Sequence, residues 1–221
     1  MSGRWLVATL VALSLGRHAE AQDESRRRFL FGAHAGALIP TFYGDDAPGA
    51  GSRAGFVVGL NAMRPVNAYA TWDLGLSVAN RGAEETSGSF STVTRLTYVE
   101  APVTFRFKVA GPDLLHEHER IAFHDFHVGG IGSLRLACSA ETTAGGSSSS
   151  GDCDPTGTLE PSLFDLALAF GASVVVPFKG RTLLFEGRWT NGFVRVYKDY
   201  ATFNRSIGLT MSVPLRSRDS F

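Results

Sequence analysis

The chain has 221 residues, 44% of them apolar, with 21 basic and 21 acidic side chains and a formal net charge of zero. Balanced charge removes the basic excess that a nucleic-acid-binding protein needs. The only long apolar run is N-terminal, which excludes a polytopic helical membrane protein but leaves a transmembrane β-barrel open.

Residues 1–21 read as a secretory signal peptide. Arg4 supplies a positive start, Trp5 to Leu15 an apolar stretch too short to span a bilayer, and Ala19-Glu20-Ala21 a small-residue cleavage site. A single membrane anchor is the alternative. Cleavage there assigns residues 22–221 to one mature domain.

Beyond the leader, alternation of period two replaces helical periodicity. Segments 29–39 and 53–63 show it weakly. In 69–81 it is clear, with Ala70, Trp72, Leu74, Leu76 and Val78 opposite Thr71, Asp73, Gly75, Ser77 and Ala79. In 95–109, Thr97, Val99, Ala101, Val103, Phe105, Phe107 and Val109 oppose Tyr98, Glu100, Thr104, Arg106 and Lys108. Segment 121–137 is a further strand. Segments 162–177, 182–190 and 204–215 repeat the pattern, with Asp165, Glu186 and Arg188 on the polar side. Eight strands result, most of them long enough for the 9–11 tilted residues that cross a bilayer.

The connections alternate in length. Those at 40–52, 81–91, 138–161 and 197–203 are long, and those at 64–68, 110–120 and 178–181 are shorter. Phe31, Trp72, Phe105, Phe107, Phe126 and Phe185 fall near the strand ends that meet the shorter turns, as an interfacial aromatic girdle would. The pattern predicts an all-β, eight-stranded antiparallel up-and-down transmembrane β-barrel in the outer membrane of a Gram-negative cell envelope. A soluble lipocalin-like periplasmic barrel binding an apolar ligand is the rival, because alternation alone does not choose the lipid-facing side.

Several runs carry a family resemblance. Leu96-Thr97-Tyr98-Val99-Glu100-Ala101-Pro102-Val103, the Gly-rich His127-Val128-Gly129-Gly130-Ile131-Gly132, Asp165 through Gly171, Glu186-Gly187-Arg188-Trp189-Thr190-Asn191-Gly192-Phe193 and Asn204-Arg205-Ser206-Ile207-Gly208-Leu209 follow one another in order. Together they resemble the bacterial outer-membrane β-barrel domain family of PorT-like and OmpA-like small barrels. Trp189 stands where that family has a tyrosine. The resemblance implies an eight-stranded barrel and no enzyme activity.

The polar faces supply the candidate site. Glu100, Arg106, Asp125, Arg135, Asp165, Glu186 and Arg188, with Lys108 nearby, point into a lumen that eight strands leave just wide enough for side chains. Buried charges need partners, so these form an interior ion-pair network with Glu186 and Arg188 at its centre. A proton or solute pathway is the functional alternative. Cys138 and Cys153 flank a small-residue loop, and an exported protein can keep such a pair as a disulfide worth roughly 3 kcal/mol, two free thiols being the alternative.

His116, His118, His124 and His127 cluster in HEHERIAFHDFH. His116 and His118 are weak metal candidates in a connection, and strand alternation turns His124 and His127 to opposite faces. Ser133 lies too far along the strand from His127 to form a nucleophilic pair. No phosphate loop or nucleophile elbow is present. No cofactor is expected. The expected partners are outer-membrane lipid and the barrel-insertion machinery, for a monomer that binds no nucleic acid and is porin-like only in its barrel. Phe221 is a terminal aromatic separated from the last apolar strand by Arg216, Arg218 and Asp219. A membrane-embedded lipid-modifying enzyme is the second functional rival.

Overall fold

A computed structural model describes residues 29–47, 49–67, 69–109, 122–153, 161–179 and 181–215. The signal peptide, His116, His118 and Phe221 lie outside the described residues. Nine strands run β1 (Leu30–Tyr43), β2 (Gly55–Pro65), β3 (Ala70–Ser87), β4 (Phe90–Lys108), β5 (Ala122–Ala144), β6 (Ser147–Asp152), β7 (Phe164–Phe178), β8 (Arg181–Arg195) and β9 (Phe203–Pro214).

Every pairing is antiparallel. β1 pairs with β2 and β9, β4 pairs with β5, and β5 pairs with β7, so eight strands close a ring. The ninth strand, β6, is a short arm folded back on the end of β5 outside that ring. Closure pairs the edges that an open sheet would leave exposed.

Two of the long connections are in fact largely strand. The stretch 81–91 continues β3 and β4 to a two-residue turn at Gly88 and Ser89, and 138–161 contains the β5–β6 hairpin. Gly145 and Gly146 both have positive φ, at 56° and 86°. Glycine adopts that geometry freely, and it suits a tight hairpin turn of the primed type. Hydrophilic Ser, Thr and Glu residues there read as loop by composition, whereas backbone pairing extends the sheet. As a result β4 has 19 residues against 12 for β9. One side of the wall therefore rises about 20 Å beyond the other along the strand direction.

Alternation sorts the side chains as the sequence reading sorts them. Asp73, Ser77, Glu100, Thr104, Arg106, Asp165, Ser173, Glu186, Thr190, Ser206 and Thr210 are buried in the lumen. Trp72, Leu74, Leu76, Val103, Phe107, Leu166, Leu168, Phe170, Ile207 and Leu209 are exposed on the outer wall. At the turn end the aromatics touch. Trp72 meets Phe105 edge-on at 4.8 Å, Phe105 meets Phe107 at 4.8 Å, and Phe123 meets Phe126 at 4.7 Å.

The lumen is not uniformly polar. Leu38, Val57 and Ala79 line one side of its middle, and Ile131, Ala167 and Ala169 line another. At the loop end, Phe42, Ala47, Ala83, Leu96, Tyr98, Cys153 and Val196 pack into an apolar cluster, with Ala50, Cys138 and Tyr197 against it. Ala47, Cys153 and Val196, which lie outside the strands, are thus buried against inward residues of β1, β3 and β4. Burial pushes the Tyr197 phenol above its ordinary pKa.

Candidate functional site

The charged lumen is built around Arg106. Its position on β4 turns the guanidinium inward, and three carboxylates on three other strands converge on it. Nε donates to Asp73 Oδ2 of β3 at 2.8 Å, and Nη1 to Asp125 Oδ1 of β5 at 3.2 Å. Nη2 donates to Glu186 Oε2 of β8 across the lumen. Arg188 donates from Nε to the other oxygen of Glu186 at 2.6 Å. Asn61 and Ser173 complete the shell, donating to Asp73 at 3.1 Å and to Asp125 at 2.7 Å.

His127 sits between two of the carboxylates. Its Nδ1 is 3.3 Å from Asp125 Oδ1 and its Nε2 is 3.6 Å from Glu186 Oε1, with the side chain fully buried. The ring has room because residue 171 on the facing strand is glycine, where a Cβ would strike the imidazole. This is why small residues recur on the polar face. They make space for large charged groups reaching from the neighbouring strands.

A second node lies toward the loop end. Arg81 Nε donates to Glu100 Oε1 at 2.6 Å, and its Nη1 donates to Thr190 and Ser206 at 3.0 and 3.2 Å. A third is neutral on one side. Asn204 Nδ2 donates to Asp165 Oδ2 at 2.8 Å and to Tyr98 Oη at 3.2 Å. Between the first two nodes lies a cavity of about 10 Å³ lined by Leu38, Val57, Arg81, Glu100, Arg188 and their neighbours. That is room for about one water molecule. Such an arrangement locks strands together, because each ion is stable in a low-dielectric space only while its partners hold.

The structure brings Glu100, Arg106, Asp125, Glu186 and Arg188 into ion pairs, and it corrects four expectations. The centre is Arg106, because it alone spans β3, β5 and β8, whereas Arg188 reaches only Glu186. Asp165 pairs with an amide rather than a cation. Arg135 stands apart from the network at the upper rim, with Nη1 buried and without a hydrogen-bond partner. Lys108 is half-buried at the turn end of β4.

The fourth correction concerns His124. A register shift between Phe123 and Asp125 breaks the alternation, so His124 and His127 both flank Asp125 instead of facing apart. A bulge places one extra residue in a strand and reverses facing from that point. Among the described residues no group of His, Cys, Asp or Glu is arranged to hold a metal ion.

Sequence reasoning missed Asp73 and Arg81 as network members. The connection at 81–91 takes in Arg81, although its odd number continues the inward file of Thr71, Asp73, Ser77 and Ala79. That parity was the available signal. Cys138 and Cys153 are joined, with 5.5 Å between their Cα atoms. The bond fastens the β5–β6 hairpin to the apolar cluster at the mouth.

No protein-family model matches the chain, and no curated protein matches it. Among solved structures the chain is similar to Ail, the attachment invasion locus protein of Yersinia pestis, at 12% identity, covering 84% of this chain and 97% of that one, with a TM-score of 0.42. It is similar to Neisserial surface protein A at 13% identity, covering 83% and 96%, with a TM-score of 0.45. The N-terminal β-barrel domain of Pseudomonas aeruginosa OprF follows at 9% identity, covering 84% and 99%, with a TM-score of 0.31.

Proposed function

We propose that the chain is an integral outer-membrane β-barrel, exported through residues 1–21, whose role is structural or interactive rather than enzymatic. Its lumen is plugged, and it displays the β3–β4 and β5–β6 hairpins at the cell surface. Its partners are outer-membrane lipid and the barrel-insertion machinery, and it acts as a monomer. The observation that carries this reading is the outward band. Phe31, Ile39, Leu60, Leu76, Ile207 and Leu209 are 57–61% exposed. Leu60 faces Leu76 and Ile39 faces Ile207 in register, so the band is continuous from strand to strand. An apolar surface of that extent belongs against hydrocarbon, not water. A lipocalin-like barrel would place these side chains inside.

Two features of the lumen support the plugged reading. The lower lumen is filled by paired charges and the mouth by the apolar cluster around Phe42, Leu96 and Tyr98. Cell fractionation combined with heat-dependent gel mobility tests the assignment. The chain is expected in the outer-membrane fraction, migrating faster unheated than boiled. Recovery in the soluble fraction without detergent overturns it.

A further inference from the structure

Arg205 is a charged residue on the lipid-side file of β9, the file that continues as Ile207, Leu209 and Met211. In register it faces Thr41 of β1 and Asn191 of β8, and the next outward row toward the turns is Ile39, Ile207 and Trp189. The guanidinium therefore stands about 7 Å along the strand toward the loop end from that row, with the aromatic pair Tyr43 and Phe203 in the row beyond it. Aromatic rings mark the bilayer interface, so the membrane reading sets the guanidinium near the headgroups at the loop end.

The side chain is held rather than loose. Its guanidinium carbon lies 4.2 Å from the centroid of the Tyr43 ring. Nε donates to Asn191 Oδ1 at 3.1 Å. Asn191 Nδ2 donates to Tyr43 Oη at 2.6 Å, and that hydroxyl donates to the carbonyl of Gly192 at 2.6 Å. Phe203 packs against the Tyr43 ring at 5.4 Å. Three strands thus fix the guanidinium by stacking on one face and by one hydrogen bond at Nε. Among the described residues Nη1 and Nη2 take no hydrogen bond. The terminal fork is left with its donors free in a fixed plane.

We infer that Arg205 binds the phosphate of a lipid headgroup of net negative charge, one without a choline cation to neutralise it, in the leaflet at the loop end, with Tyr43 and Asn191 as positioning residues. This rests on the membrane reading given above. A planar guanidinium presents paired N–H donors that match the oxygens of a phosphate, and stacking plus a fixed Nε removes the ordering cost before the ligand arrives. The apolar row directly beneath selects a lipid over a soluble phosphate, because acyl chains lie on Ile39, Ile207 and Trp189 while the headgroup meets the cation.

The test uses the full barrel reconstituted in phosphatidylcholine vesicles doped with phosphatidylglycerol, then extracted for native mass spectrometry of the retained lipid. The wild-type chain should retain phosphatidylglycerol over phosphatidylcholine. R205Q should lower that ratio about fivefold, the effect of one cation at a charged membrane surface. R205K keeps the charge without the fork and should fall between them. Each variant must show the wild-type heat-shifted band, so that loss of folding is read separately. An inserted barrel whose lipid ratio is the same in wild type and R205Q overturns the Arg205 inference alone. Displacement of the lipid by inorganic phosphate overturns the assignment to a headgroup. A wild-type chain that stays soluble without detergent overturns the membrane reading, and this inference with it.

Discussion

Arg106 on β4 and Glu186 on β8 form an ion pair straight across the lumen, joining two strands that are not neighbours in the ring. Backbone pairing holds each strand only to the next. This contact instead braces opposite walls, and both partners are almost completely buried, at 5% and 3% exposure of their side chains.

Replacing Glu186 by Leu removes one of the three carboxylates on Arg106 and the carboxylate paired with Arg188. Leaving a buried charge unpaired costs about 3–5 kcal/mol. The midpoint of urea unfolding in micelles should fall accordingly. Substituting Arg188 by Met in the same chain should recover part of the loss, because Arg188 is the cation that E186L orphans, whereas Arg106 keeps Asp73 and Asp125. An unchanged midpoint for E186L would show that the network contributes nothing to stability.

Gly171 leaves the space that the His127 ring occupies. Substitution by Val should force the imidazole out from between Asp125 and Glu186 and cost about 1–3 kcal/mol by overpacking. Pairing G171V with H127A should restore only part of that stability, since the new side chain also meets the carbonyl oxygen of Gly187. Equal unfolding midpoints for the single and double variants would refute the steric account.

The barrel was legible because alternation survives wherever one face meets a different medium from the other. Leu74 and Asp73 are adjacent in sequence and opposite in environment. The apolar cluster at the loop end was not legible, because Leu96 and Phe42 are apolar residues on the inward side, and period two offers no hint that Ala47, Cys153 and Val196 pack against them. The bulge that turns His124 toward Asp125 is a one-residue change of register, invisible without the pairing partner. The extended hairpins escaped for another reason. Their Ser and Thr residues are polar on both sides, since both sides meet water. The charge network itself was half legible. Facing told which groups share the lumen, but the hub is decided by reach across the ring, which placed Arg106 ahead of Arg188.

The bond between Cys138 and Cys153 closes a stretch of 15 residues and anchors β6 beside the apolar cluster at the loop end. Replacing both cysteines by Ser should lower stability by roughly 3 kcal/mol in the chain-entropy model. The loss should be local. Limited proteolysis on intact cells should cut within 139–152 in the double variant, while the heat-shifted band of the barrel persists. Cleavage at the same rate in both chains would mean that pairing of β5 with β6 alone holds the hairpin.

Leu209 lies midway along β9 on the outer wall, 61% exposed. Changing it to Arg adds a charge without touching any lumen contact. On a surface facing water, such a substitution is worth within about 0.5 kcal/mol. Facing hydrocarbon near the bilayer midplane, it costs about 2–4 kcal/mol. The two settings therefore give separate outcomes from one variant. Folding L209R into phosphatidylcholine vesicles should show the large penalty, and moving the same Arg to Phe193, exposed near the loop end of β8, should reduce it toward 1 kcal/mol or less. A small, position-independent effect at both sites would mean that the outward band faces water.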